Sequence, residues 1–255
     1  MHLVVLGSGS ANPHPLRSSS GFWLDTSAGS IILDFGASAL HRLAQENLDW
    51  GNLDAIWLSH FHLDHCCGLP AYLFAARHAS QTEGRTKPLR ISGGPGLKQL
   101  IADFDKAAKG KLLEQRFPVD LVEVEHLERF ELLPGVQAIV LSTPHTEESH
   151  AIRIEDNSGK VLVYTSDTGF GKELAAFSKH ADLLVIESAY FENKKTEKHL
   201  ELAEAMYLIG KARPKRAVLT HFYAEWDEVD FRAEVAKFDP TCDVIEARDG
   251  LRLTI

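Results

Sequence analysis

The sequence predicts an α/β fold in which two β-sheets pack face to face and helices cover both outer faces. Two observations predict it. Strand-like apolar runs, a helix and further strands follow one another, and the same order recurs in the second half of the chain. Apolar strands also end repeatedly in residues of metal-binding type, foremost in Ser59-His60-Phe61-His62-Leu63-Asp64-His65. No Pro/Gly/Ser-rich linker or short repeat interrupts the chain, so residues 1–255 are expected to form a single domain made of two similar halves. A chain of 255 residues is long enough to bury a full core.

The elements follow in order. Residues 3–6 read as a first strand; no basic region and long apolar core mark a signal peptide. A glycine- and serine-rich loop covers 7–21, strands follow at 22–25 and 30–34, a helix at 37–46, and a strand ending at Leu58. After the histidine loop, Leu69, Tyr72, Leu73 and Ala76 recur at helical spacing over 69–79. Residues 89–92 read as a strand, Gly93-Gly94-Pro95-Gly96 as a turn, and 97–108 as a helix. In the second half, 119–124, 136–142, 151–155 and 161–165 read as strands, with Asn157-Ser158-Gly159-Lys160 as a hairpin turn. A helix at 172–179, a buried strand at 183–187, a helix at 200–211 and a strand at 217–220 come next. A helix at 229–238 and strands at 244–246 and 251–254 close the chain.

Composition narrows the function classes. The 27 basic and 36 acidic residues leave a formal charge of −9, which argues against a broad electrostatic footprint for long nucleic acid or an anionic membrane. Two divalent ions in one site would soften that argument by adding local positive charge. No apolar stretch approaches the ~20 residues that span a bilayer. The three cysteines, Cys66, Cys67 and Cys242, form no disulfide framework, and the cytoplasm is the expected compartment.

The histidine loop carries the chemistry. Imidazole and carboxylate suit zinc, iron or manganese, and His60 and His62, one residue apart, reach a single ion from a loop. Asp64 and His65 begin a helix and are expected to point the other way, so one turn could supply ligands to two ions rather than one. A lone histidine is ordinarily a surface or satisfied core residue, and the chain has 13. Four potential ligands in six positions, closed by Gly68-Leu69-Pro70, are far less ordinary. Further ligands are expected at other strand ends, where three residues fit: His145, Asp167 and His221.

Taken in that order, these residues resemble the ligand pattern of the metallo-β-lactamase superfamily of dinuclear metallohydrolases, over nearly the whole chain. The resemblance implies that fold, a four-layered αβ/βα sandwich of two mixed β-sheets. It implies two divalent metal ions, zinc foremost, with manganese or iron as alternatives. His60, His62 and His145 would hold one ion, Asp64, His65 and His221 the other, and Asp167 would bridge them. Leu33-Asp34-Phe35-Gly36 resembles the first motif, whose aspartate braces the histidine loop from behind. The set is complete without Cys66 and Cys67, which read as packing residues. His126, His150 and His180 read as structural, as does His14, although its place near the expected site mouth leaves a substrate role open.

Within the superfamily the chain resembles the ribonuclease Z and phosphodiesterase branch. The resemblance rests on Leu6-Gly7-Ser8-Gly9-Ser10-Ala11, Arg17-Ser18-Ser19-Ser20, Ser166-Asp167-Thr168 and Leu219-Thr220-His221-Phe222-Tyr223. Glu187-Ser188-Ala189-Tyr190 resembles the branch's Glu-Ala-Thr-Phe motif, and His199 the histidine that follows it. The implied catalytic residues are Asp64, Glu187 and His199, with Glu187 orienting His199 as acid or phosphate clamp. The plainer alternative for His199 is a solvated histidine after the charged run 194–198. The expected reaction is phosphodiester hydrolysis by a hydroxide held between two ions. A tRNA-processing member needs a long basic arm, but a hairpin fills His145 to Asp167, and two helices and a strand fill Asp167 to His221. A small, cyclic or short nucleotide-like phosphodiester is therefore the expected substrate. A tRNA 3′-end endonuclease and a lactone or thioester hydrolase stand as alternatives. No membrane or long nucleic acid partner is expected, and the branch makes a homodimer possible.

Overall fold

The computed structural model describes residues 1–255 and contains fourteen strands and seven α-helices. One seven-stranded sheet holds β1 (His2–Gly7), β2 (Gly21–Thr26), β3 (Gly29–Phe35), β4 (Ala55–Leu58), β5 (Leu89–Gly93) and β6 (Val119–Glu123). The other holds β7 (Arg129–Leu133), β8 (Val136–Ser142), β9 (His150–Glu155), β10 (Val161–Tyr164), β11 (Leu183–Glu187), β12 (Arg216–Thr220) and β13 (Asp243–Glu246). The last strand, β14 (Arg252–Thr254), returns to the edge of the first sheet beside β1. Both sheets are mixed and share one pattern. Four strands pair antiparallel, β14-β1-β2-β3 and β7-β8-β9-β10, and three more then add in parallel.

Strand alternation explains the layers, because successive side chains point to opposite faces. Leu3 and Val5 join the core between the sheets, whereas Val4 and Leu6 join the outer core under the helices. Phe22 meets Tyr164 at 5.1 Å and Trp57 meets Phe130 at 6.0 Å, each pair spanning the two sheets. The outer core of the first sheet packs against α1 (Ala39–Gln45), α3 (Gly68–His78) and α4 (Leu97–Ala107) through Leu43, Leu73 and Ile101. The second sheet packs against α5 (Lys172–Phe177), α6 (Leu202–Ala212) and α7 (Phe231–Ala236) through Leu174, Ile209 and Val235. Strands buried on both faces read as near-continuous apolar runs, as these do. Each large side chain so buried stabilises the fold by roughly 1.5–3 kcal/mol.

Two details depart from the sequence reading. Residues 129–133, unassigned there, form the edge strand β7. Its outer positions are charged, Arg129 and Glu131, so no continuous apolar run marks it. The available signal was Pro134-Gly135, since Gly135 at φ 79° sits where a type II turn needs a positive φ. The helix expected at 229–238 is the shorter α7, Phe231–Ala236, and a 3-10 turn, Ala224–Glu228, precedes it. Asp230 caps α7 by accepting the Ala233 N–H, which sets its start.

Candidate metal centre

The topology delivers the site residues to one edge. β8 and β10 both run antiparallel to β9 between them, and β10, β11 and β12 run parallel, so all four end on the same side. His145, Asp167, Glu187 and His221 stand at or just past those ends. In the facing sheet β4 stops at Leu58 and releases the histidine loop. His62 is extended (φ −63°, ψ 144°), and the short α2 (Leu63–Cys66) begins directly after it. That change of conformation sends Asp64 and His65 to a donor set separate from that of His60 and His62, with the His60 and His65 rings still 4.2 Å apart. Gly36 and Gly68 allow the close fit behind the loop: a Cβ on Gly68 would strike the Gly36 carbonyl, and one on Gly36 the Asp64 carbonyl. Asp34, Ser166 and His221 all adopt left-handed φ, at 58°, 52° and 64°. Non-glycine residues there cost on the order of 1–3 kcal/mol each and gather at functional sites.

Two donor sets result, and they share Asp167. Ligand atoms of His60, His62, His145 and Asp167 lie within 4.8 Å of one another, as do those of Asp64, His65, Asp167 and His221. Asp167 turns Oδ2 to the first set, 3.8 Å from His60 Nε2 and 3.7 Å from His145 Nε2. It turns Oδ1 to the second, 3.2 Å from His65 Nε2 and 3.0 Å from His221 Nε2. His62 Nδ1 and His145 Nε2 are 3.1 Å apart, and the Nε2 atoms of His65 and His221 are 3.3 Å apart. Asp64 Oδ2 is 3.5 Å from each of those two nitrogens.

The opposite ring nitrogens show which atoms are free. His65 Nδ1 donates to Asp34 Oδ2 at 2.7 Å, and His145 Nδ1 to the Lys198 carbonyl at 2.9 Å. His60 Nδ1 faces Ser59 Oγ at 3.1 Å. A histidine whose Nδ1–H is so engaged presents the Nε2 lone pair to the centre. Asp34 also accepts the Tyr164 hydroxyl (2.6 Å), the Ser59 hydroxyl (2.8 Å) and the Ser59 N–H (2.7 Å). Ser59 Oγ in turn meets Ser166 Oγ at 2.5 Å, so the hydroxyls join the two sheets behind the ligands.

Charge in this cluster is set by partners working against burial. Burial opposes ionisation of Asp167, but the His221 and His65 rings outweigh it and hold the carboxyl well below its usual range. Asp64 is lowered by the same two rings, again against burial. Conversely, burial disfavours charge on His65 and His221, yet Asp167 and Asp34 push His65 well up. Asp167 and Asp64 push His221 up to about 10. His60 is lowered by burial and by the adjacent His65, and His145 by burial. Positive charge is therefore favoured between the carboxylates. His60 Nε2 and Asp167 Oδ1 are buried without a hydrogen-bond partner. Donor atoms about 3.3 Å apart match four ligands at about 2.0–2.1 Å around a tetrahedral ion. These residues fit a pair of divalent ions.

A third group adjoins the centre. Asp167, Glu187 and His199 bring ligand-type atoms within 4.8 Å. His199 Nδ1 donates to Glu187 Oε1 at 3.0 Å, so His199 is packed in the site rather than solvated. Glu187 also accepts the backbone N–H groups of Thr168 (2.7 Å), Leu200 (3.1 Å) and Ala189 (3.2 Å).

Every residue expected at the centre is thus brought to it. Cys66 stands apart from the donor sets: its thiol donates to the Phe61 carbonyl, and burial pushes it up to about 12. His14 Nε2 instead bonds Asp227 at 2.7 Å. The sequence reading gave no role to Tyr164 and quoted Ser59 and Ser166 only as motif positions, because hydroxyls are common residue types with no spacing signal. It quoted Tyr190 and Tyr223 only as motif positions, although their rings flank His199.

Two seven-stranded mixed sheets with donor sets bridged by one carboxylate define a dinuclear metal-binding site of hydrolase type. The chain belongs to the metallo-β-lactamase superfamily: residues 22–222 match the β-lactamase superfamily domain. Its sequence relatives include ribonucleases Z. It is 26% identical to a ribonuclease Z of Shouchella clausii, covering 96% of this chain and 95% of that protein. It is 29% identical to a Mycobacterium leprae protein, covering 94% and 84%. The metallo-β-lactamase fold protein YhfI from Bacillus subtilis superposes with a TM-score of 0.79 at 23% identity, covering 99% and 98% of the two chains.

Proposed function

We propose that the protein is a metal-dependent phosphodiesterase that hydrolyses a small, cyclic or short nucleotide-like phosphodiester, with two zinc ions, or manganese or iron in their place. The observation that carries this reading is the Glu187–His199 pair beside the donor sets. With Nδ1–H of His199 given to the Glu187 carboxylate, the protonated ring has its Nε2–H left to pass to a departing alkoxide, which leaves the ring neutral, or to hold a phosphoryl oxygen. Glu187, fixed by three backbone N–H groups, keeps that ring in place. A bound pair of divalent ions would supply Lewis-acid charge and a water activated at neutral pH. The chain's share is to hold His60, His62, His145, Asp64, His65, His221 and the shared Asp167 as ligands, braced through Asp34.

A ribonuclease Z-type tRNA 3′-end endonuclease is the second reading, favoured by the resemblance to the Shouchella clausii protein. Against it, that alignment runs over 305 positions whereas this chain has 255 residues, so the ribonuclease carries stretches with no counterpart here. The formal charge of −9 also disfavours a long polyanion. On the same footing we propose a cytoplasmic protein without membrane partners, one domain of two similar halves, compatible with a homodimer.

A substrate panel tests the reading: bis-p-nitrophenyl phosphate, cyclic nucleotides, an acyl lactone and a precursor tRNA, each with metal-loaded protein. Turnover of the small diesters is expected. Lactone turnover without diester turnover would overturn the proposal, and tRNA 3′ cleavage without small-diester turnover would install the second reading.

A further inference from the structure

The chain has five tyrosines, and they divide by what their hydroxyls do. Tyr72 and Tyr164 are fully enclosed and donate to the Trp50 carbonyl (3.2 Å) and the Asp34 carboxylate (2.6 Å). Tyr207 lies exposed on α6 with the Lys211 ammonium over its ring. Tyr190 and Tyr223 are buried and half-buried beside the metal centre, and neither hydroxyl bonds to any group of the chain. Both oxygens reach solvent at the edge of the site, so they are open to a ligand there.

The two rings are placed and held. They meet edge to face, 4.9 Å apart at 81°. Tyr223 stands 6.0 Å from His199 and 6.2 Å from His221, and Tyr190 stands 6.4 Å from His199. Tyr223 N–H donates to the Ala189 carbonyl at 3.1 Å, and the Trp226 indole N–H to the Ser188 carbonyl at 2.8 Å. Phe191 N–H donates to Glu225 Oε1 at 2.6 Å. These bonds lace the two tyrosine-bearing segments together, so the wall exists before any ligand arrives and costs little ordering on binding.

The flank at His145, whose ring stands 4.9 Å from that of His199, differs. Beyond His145 a cavity of about 630 Å³ is lined by polar and charged groups, among them Thr146, Glu147, Glu148 and Lys198. The site therefore has an aromatic side at His199 and His221 and a charged side at His145. A substrate that uses both sides carries a planar apolar ring on one end of a phosphate and polar groups on the other.

We propose that Tyr190 and Tyr223 form a subsite for the nucleobase of the substrate. The rings supply the stacking surface, and the two hydroxyls are free to meet base heteroatoms. The subsite rests on the phosphodiesterase reading for the place of the phosphate, at the metal centre beside His199. Base–aromatic contact tolerates any base, so the subsite selects nucleotides over other phosphoesters without selecting among sequences.

The test measures equilibrium binding of adenosine 5′-monophosphate and ribose 5-phosphate to the metal-loaded protein, since the two share sugar and phosphate and differ by the base. The nucleotide is expected to bind about ten- to hundred-fold more tightly. Tyr223→Phe should retain most of that preference, and Tyr223→Leu and Tyr190→Leu should lose most of it at unchanged metal content. Equal binding of the two probes by wild type would overturn the subsite, and this comparison needs no variant to fold. A base preference that survives the double leucine variant would overturn it as well. Diester turnover with equal binding would sink the subsite alone, whereas base preference without diester turnover would sink the phosphodiesterase reading alone.

Discussion

Asp167 is the one side chain common to the two donor sets of the centre. Its residue is 2% exposed, and its two oxygens face different donor sets. Replacing it by alanine would leave His65 and His221 without the carboxylate charge between them and the two donor sets without a common ligand. Wild type is expected to carry about two divalent ions per chain. Asp167→Ala should lose metal and activity together, read by elemental analysis and diester turnover; full activity in that variant would remove the bridging assignment. His199 separates from the ligands by the opposite outcome. His199→Ala should keep its metal while kcat falls by about 10²–10⁴, the range for loss of a general acid. A variant that loses metal instead would make His199 a ligand.

At the scale of elements, the histidine loop depends on the start of β9 in the facing sheet. The His150 N–H donates to the Ser59 carbonyl at 3.0 Å, and Glu148 Oε1 accepts the Phe61 N–H at 3.3 Å. The His150 ring is buried, with Nδ1 donating to the Glu148 carbonyl at 2.8 Å and Nε2 3.3 Å from Ser142 Oγ. Burial lowers its pKa against the pull of the Glu148 carbonyl, so the folded state favours the neutral ring. The unfolded chain titrates near the ordinary value of about 6.5. Stability from this group is thus complete above that value and is lost as pH falls through the lower folded pKa. Urea midpoints of wild type and His150→Gln should therefore draw closer between pH 7 and pH 5. A constant gap would show that the ring contributes packing alone.

Across the whole molecule, the centre is a cross-link between sheets. His60, His62, Asp64 and His65 come from the first sheet, and His145, Asp167 and His221 from the second. Each ion bound only by the folded state adds about 2.7 kcal/mol at a hundredfold excess over Kd. Removal of two such ions by chelation should accordingly lower Tm by about 10–20 °C for a chain of this size, in a melt with and without chelator. The cores of 45 and 21 buried residues should keep the metal-free protein folded; unfolding on chelation would show that the sheets do not hold without the ions. Much of this was legible in the residues alone. Doubly buried strands announce themselves as apolar runs, and the seven ligand-type residues stand where those runs stop. The edge strand β7, with charged outer positions, lacked that contrast and went unread. Local chemistry in the sequence determined the layers, the histidine loop and the polar ends of its strands, because apolar periodicity and side-chain type act over a few residues. Only the tertiary structure decided that Asp167 faces both donor sets, that Tyr164 reaches Asp34 across the sheets, and that Tyr190 and Tyr223 wall His199. Those relations join residues far apart in the chain, and they come into being only when the two sheets pack.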